Sequence, residues 1–258
     1  MTELYQHFRK EEHEFVDAVL EWQGQVLNQY SPKLTDFLDP REQDIVHTII
    51  GSEGDVKVSF FGGYEGAERK RAFLFPSYYE PSEEDYELEL FEVKYASKFV
   101  TLEHRHVLGT LMSVGLRRSK YGDIIAGEER IQFIVAREMS SFVKMNISKM
   151  GKTSVSLQTK PLNSVMDNKE ELELKETTVS SLRLDAVLSS IHNISRQKVQ
   201  TLINGGHAKV NWKTLEQPSF ECNEGDTLSL KGHGRARVVS INGKTKKEKW
   251  RITVGKLK

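Results

Sequence analysis

Towards the C-terminal end of the sequence, a group of polar residues has the types and spacing to hold an anion. Ser195 stands where a helix would begin, Arg196, Gln197 and Lys198 fill its first turn, and Lys209, Asn211 and Lys213 recur at every second position beyond its end. A helix start presents amide N–H groups without acceptors and the positive end of the helix dipole, so a capping serine followed by cations makes a phosphate site. Alternate residues of an extended strand share a face, so Lys209, Asn211 and Lys213 are expected to project together. Arg183 lies near the start of a preceding helix and flanks the same groove. Arg235 and Arg237, with Lys244, Lys246, Lys247 and Lys249, extend the positive field. Arginine suits paired contacts to phosphate, whereas lysine acts as a point charge. The ligand this implies is a phosphate chain such as RNA, whose binding weakens with salt as counterions are released. Plainer roles stay open beside these: Ser195 as a cap only, Arg183 paired with Asp185, and the lysine run as a solvated hairpin tip.

A second cationic group, Arg105, Arg117, Arg118 and Lys120, is either a further RNA surface, with Tyr121 available for stacking, or a solvated turn. Catalytic chemistry finds no comparable pattern. His104 and His106 are two apart at a helix start and splay, and Glu103 does not supply the two-turn histidine spacing of a zinc protease. Gly62-Gly63 to Gly66 lacks the Lys-Ser/Thr of a phosphate-binding loop. Cys222, the one cysteine, excludes an internal disulfide and a cysteine-based zinc site, and its acidic neighbours Glu221 and Glu224 raise its pKa. No catalytic residue, metal or cofactor is expected, and the protein is read as not an enzyme.

The elements that must position these residues follow from periodicity and charge. Residues 1–93 hold 8 Lys+Arg against 21 Asp+Glu, a net of −13; residues 94–160 hold 12 against 5, or +7. Residues 161–180 hold 2 against 5, or −3, and residues 181–258 hold 15 against 6, or +9. Sorting of this kind suggests basic modules facing a polyanion and an acidic module, 1–80, facing a protein partner. Apolar residues from Phe8 to Leu27 at three- and four-residue steps predict a first helix, and Asp39-Pro40 starts a second that Gly51 ends. Val56–Phe60 and Ala72–Phe75 predict a hairpin. Residues 81–162 then read β-α-β-β-α-β: strand 86–95, helix 103–114, strands 122–126 and 131–136, helix 137–150 and strand 154–159. That order belongs to the ferredoxin-like sandwich, also the scaffold of RNA-recognition motifs. Phe91, Tyr95 and Phe133 are expected in its core rather than as a base-stacking set. Residues 163–180 read as a linker with room for a short strand at its end. Residues 181–258 follow with two short helices, a strand over 207–213, a strand over 227–230 and a hairpin turning at Asn242-Gly243. The fold class is α+β. No apolar stretch nears the roughly 20 residues that span a bilayer, and a cytoplasmic monomer with no membrane contact is expected.

Arg183-Leu184-Asp185, Ser195-Arg196, Leu202-Ile203, Gly205-Gly206, Val210-Asn211 and Gly225-Asp226 come in an order that resembles the S-four RNA-binding domain over residues 181–230. That domain is named for a small-subunit ribosomal protein and also occurs in tyrosyl-tRNA synthetases, pseudouridine synthases and ribosome-rescue factors. Trp212 departs from it, because glycine often follows Val-Asn there. With Leu102–Gly109 leading a helix towards Gly115–Ile124, the chain is similar along its length to the YlmH family of bacterial proteins, the N-terminal third being least distinctive. The resemblance implies an S-four-like module of two helices and a small sheet behind a ferredoxin-like domain. It also implies a cytoplasmic protein of Gram-positive-type bacteria, linked to cell-division gene neighbourhoods. Such a protein would bind rRNA and tRNA on the large ribosomal subunit, in quality control of stalled nascent chains. Two alternatives stay beside it: an rRNA- or tRNA-modifying enzyme of pseudouridine-synthase type, with Asp123 as the nearest acid, and an adaptor for the division apparatus.

Overall fold

The computed structural model describes residues 5–52, 54–127, 129–167 and 172–257. The chain forms two compact units, Met1–Asn168 and Lys169–Lys258. In the first, α1 (His13–Gln29) buries Val16, Val19 and Val26. A strand that periodicity does not reveal follows, β1 (Lys33–Leu38). A bulge between Leu34 and Phe37 breaks the two-residue alternation by which a strand is recognised in sequence. Asp39 then caps α2 (Pro40–Ile50) reciprocally: its carboxylate accepts from the Glu42 amide at 2.9 Å, and the Glu42 carboxylate accepts from the Asp39 amide at 2.7 Å. The expected hairpin forms from β2 (Val56–Phe61) and β3 (Lys70–Pro76), giving an antiparallel sheet in the order β1-β3-β2.

The β-α-β-β-α-β order is present as β4 (Leu88–Lys94), α3 (His104–Ser113), β5 (Tyr121–Ala126), β6 (Ile131–Ala136) and α4 (Ser140–Asn146). The last strand, β9 (Ser156–Lys160), follows a small hairpin of β7 (Lys149–Met150) and β8 (Thr153–Ser154). The sheet runs β5-β6-β4-β9, all antiparallel, as a ferredoxin-like sandwich requires. The second helix is shorter than its sequence pattern suggests. Ile147 turns extended (φ −110°, ψ 100°) and buries its side chain, and the chain reverses at Gly151, φ +60°.

Alternation along β4 and β6 sorts the core into layers. Phe91, Val93, Ile131, Phe133 and Val135 pack on Val107 and Leu111 of α3 and on Val143 and Ile147. Leu88, Leu90, Ile134 and Ala136 point the other way and meet Phe37, Phe73 and Phe75, while Ala72 and Leu74 of β3 face α1 and α2. The first unit is thus four layers, helix, sheet, sheet, helix. The sheet face on which an RNA-recognition motif stacks bases is buried here against β1 and β3. Gly122 permits the approach, since a Cβ there would lie 2.7 Å from Cε1 of Phe37.

The second unit holds β10 (Leu172–Val179), α5 (Leu184–His192), α6 (Arg196–Asn204), β11 (Ala208–Val210), β12 (Lys213–Leu215), β13 (Thr227–Leu230), β14 (Gly234–Lys244) and β15 (Trp250–Leu257). They build one antiparallel sheet, β10-β15-β14-β13-β11-β12. Residues 172–179, within the stretch expected as linker, pair along their whole length with β15. Backbone hydrogen bonds hold this edge strand, of whose side chains only Val179 is buried, so its composition stays polar. The last hairpin turns at Thr245–Lys249 instead of Asn242-Gly243, whose glycine (φ +78°) lies in an irregular stretch of the β14–β15 ladder. Helices α5 and α6 pack Leu184, Val187, Leu188, Val199 and Ile203 on Ala208, Val210, Leu228, Val238 and Val254.

Candidate nucleic-acid interface

The start of α5 is pinned by backbone bonds: the Leu184 amide donates to the Phe220 carbonyl at 2.8 Å, and the Cys222 amide to the Leu182 carbonyl at 2.9 Å. This draws Asp185 fully inside. Its carboxylate accepts from Arg183 Nε and Nη2, both at 3.2 Å, from Arg196 Nη2 at 3.0 Å and from Gln200 Nε2 at 2.6 Å. Burial pushes that carboxyl up, but the bonds from Arg183, Arg196 and Gln200 outweigh it and hold the group well below the usual carboxylate range. Two guanidiniums share one carboxylate, so the cluster keeps a net positive charge. The Arg183 and Arg196 side chains remain 38% and 44% exposed. Arg183 uses two of its five N–H donors on Asp185, leaving the rest of a fixed fork for another acceptor.

Ser195 is the cap of α6, its hydroxyl accepting from the Lys198 amide at 3.3 Å, and Gln197 and Lys198 are exposed in the first turn. The structure therefore brings Arg183, Ser195, Arg196, Gln197 and Lys198 to the starts of α5 and α6.

Lys209, Asn211 and Lys213 do not share a face. The chain reverses at Asn211-Trp212, so Lys209 lies opposite Thr214 and Val210 opposite Lys213. Counting by twos fails across a two-residue turn, because cross-strand partners are the residues that point the same way. Lys209 aligns instead with Ser229 and Arg235 on the sheet face away from the helices, where Arg237 follows two residues after Arg235. Lys213 shares the side of Val210, towards the helices. Asn211 is a structural residue: its Nδ2 donates to Asp226 Oδ1 at 2.8 Å, its Oδ1 accepts from the Thr227 amide at 2.9 Å, and its own amide donates to the Thr227 carbonyl at 2.8 Å. At the far hairpin Lys244 pairs with Glu248 at 3.1 Å and lies 5.3 Å from the centre of the Trp250 ring.

The second cationic group is largely engaged within the first unit. Lys120 contacts Asp36 Oδ1 at 2.6 Å and Glu138 Oε1 at 3.1 Å, and Arg105 pairs with Glu103 at 2.9 Å. Arg118 donates from Nη1 to the Tyr121 and Gly122 carbonyls at 2.7 and 3.2 Å and stacks 4.4 Å from the Tyr121 ring centre. Desolvation of the guanidinium there, with the nearby Arg69 charge, lowers its pKa to about 10. Tyr121 itself is fully buried and cannot stack on a base. Of this group, Arg117 alone is exposed with a side chain that neither pairs nor hydrogen-bonds among the described residues.

Asp123 accepts from the Tyr64 hydroxyl and the Glu68 amide, each at 2.7 Å, and from the Arg69 amide at 3.1 Å, so it organises the loop between β2 and β3. His106 Nδ1 accepts from the Glu103 amide at 3.0 Å. Cys222 is buried, and burial first, then Asp226 and Asp185, pushes its thiol up to about 12. Among the described residues, no group of three or more His, Cys, Asp or Glu is placed to hold a metal ion. The expected pairing of Arg183 with Asp185 forms, but the convergence of Arg196 and Gln200 on the same carboxylate is not visible in residue spacing. Its signal is a carboxylate inside the apolar run Leu184–Leu188, which is tolerable only with strong partners.

A helix pair closed by a shared carboxylate and laid on an antiparallel sheet, following a ferredoxin-like sandwich in the chain, defines a two-unit protein of the S4 class. Residues 182–228 match the family described as "S4 domain", residues 81–164 "Putative RNA-binding domain in YlmH", and residues 11–79 "YlmH, N-terminal". Over 253 residues, 98% of each chain, the sequence is 51% identical to the "Ribosome-associated protein quality control protein P2" of Bacillus subtilis (strain 168). It is also similar to the solved structure of "Cell division protein ylmH from Streptococcus pneumoniae", 30% identical with a TM-score of 0.56, covering 63% of this chain and 99% of that one. This chain belongs to the YlmH family.

Proposed function

We propose that this protein is a non-catalytic factor that binds structured RNA, rRNA and tRNA at the large ribosomal subunit, in the quality control of stalled nascent chains. One observation carries the reading: Asp185, buried, aims two partly exposed arginines beside the capped start of α6. Phosphate groups meet there the donors and the dipole end that suit them. The Bacillus subtilis relative is named for ribosome-associated quality control, which supports the same setting. The engaged carboxylate of Asp123 favours this reading over RNA modification. No helix among the described residues is long and apolar enough to cross a membrane.

The test is fluorescence anisotropy with labelled rRNA hairpins and tRNA at rising salt. Three cationic contacts, from Arg183, Arg196 and Lys198, predict a fall in affinity of about fortyfold between roughly 50 and 200 mM salt. A protein with no salt-sensitive affinity for either RNA would overturn the proposal. A second reading, an adaptor for cell division, is favoured by the net charge of −13 over residues 1–93 and by the name of the streptococcal relative. It predicts co-purification with a division protein that survives nuclease treatment.

A further inference from the structure

The turn between β11 and β12 has two residues with positive φ, 48° at Asn211 and 64° at Trp212. This is the geometry of a type I′ hairpin turn, whose second position glycine fills without strain and a bulky side chain fills with it. Asn211 belongs there, because it tolerates the left-handed region and ties the turn to Asp226 and Thr227. Trp212 gains no comparable anchor. It is not among the side chains packed on the core of the second unit, and among the described residues its ring has no aromatic or cationic partner and its indole N–H no acceptor. A partly exposed indole is therefore held at the tip of a short hairpin, against the backbone preference of its own position, beside Lys213.

Persistent strain at such a place marks function rather than packing. The surrounding module, residues 181–258, has 15 Lys+Arg against 6 Asp+Glu, so the partner is an anion with a flat apolar surface. A nucleobase exposed from its helix meets both demands, since every base offers a π-face and its phosphate meets the adjacent Lys213. We infer that Trp212 is a base-stacking subsite, and that the RNA taken by this module carries an unpaired base in a loop, bulge or end. The inference rests on the RNA-binding reading above and narrows it to a substrate class.

The experiment compares the full-length protein with W212G and W212F. The probes are a stem-loop RNA with unpaired bases and a fully paired duplex of equal length. Loss of one stacked base predicts that W212G binds the stem-loop at least about fivefold more weakly, with duplex affinity unchanged, and that W212F keeps most of the affinity. The thermal midpoint of W212G should equal or exceed that of the parent, because glycine relieves the turn; a purely structural tryptophan would lower it. W212G binding the stem-loop as tightly as the parent, or losing both RNAs equally, overturns the stacking subsite while leaving RNA binding intact. A parent protein that binds neither probe overturns the RNA-binding reading itself.

Discussion

Asp185 sends no charge to the solvent, yet it decides where two guanidiniums point. D185N keeps the size of the side chain and removes the charge that Arg183 and Arg196 share. The guanidiniums left behind reach solvent, so the cost is that of weakened charge-assisted hydrogen bonds, about 2 kcal/mol, read by urea unfolding of the second unit, and loosening both forks should weaken RNA binding about tenfold. The acid limb of stability follows from the same group. Its folded pKa lies below the ordinary value of 3.8, so its contribution is complete above that pH and fades as the pH falls towards the depressed value. D185N should lose this dependence. His192 acts in a higher window: burial, then Lys256 and His233, lower its pKa from 6.5 to about 4. The unfolded chain takes up the proton first, so stability should rise with pH between about 4 and 6.5 and level off above. A thermal midpoint that stays flat across that window in the parent, and is unaltered in H192Q, would contradict this.

At the scale of elements, the start of α6 and the β11–β12 turn set the geometry of the cationic side chains. S195A removes the acceptor for the Lys198 amide and should cost about 1 kcal/mol, whereas S195G should cost only a few tenths; chemical denaturation separates the two. If affinity for RNA drops in S195A and returns in S195G, Ser195 acts as a cap alone. N211A strands Asp226 Oδ1 and the Thr227 amide and puts a Cβ residue without a polar side chain in the left-handed region. A loss of about 2–3 kcal/mol is expected. The helices and hairpins themselves were legible: the Asp39-Pro40 start, the strand at Ile131–Ala136 and the Ser195 cap stand where periodicity and capping rules put them. β1 was not legible, because its bulge hides the alternation; β10 was legible only as room for a short strand at the end of a linker, because an edge strand needs few apolar side chains.

At the scale of the molecule, the two units differ in self-sufficiency. The second has a core drawn wholly from residues 179–254. In the first, one hydrophobic cluster joins Phe37, Phe73 and Phe75 to Leu88, Leu90 and Ile134. Residues 169–258 expressed alone should therefore unfold cooperatively, while 81–167 alone, with that apolar sheet face bare, should aggregate; analytical ultracentrifugation distinguishes them. G122A forces a methyl group onto the Phe37 ring between the sheets and should cost about 1–3 kcal/mol.

The residues alone determined that the C-terminal part is cationic, that Ser195 begins a helix, and that the middle third runs β-α-β-β-α-β, because charge, capping and periodicity are local properties of the chain. Tertiary structure alone decided that Lys209 and Lys213 part across a sheet, that Tyr121 is buried beneath Arg118, and that Arg183 and Arg196 converge on one carboxylate. It also decided that the sheet face an RNA-recognition motif would offer is covered by the N-terminal strands. Each of these depends on which residues meet, and the length of a turn or a packing partner far along the chain settles that, not the spacing of neighbours.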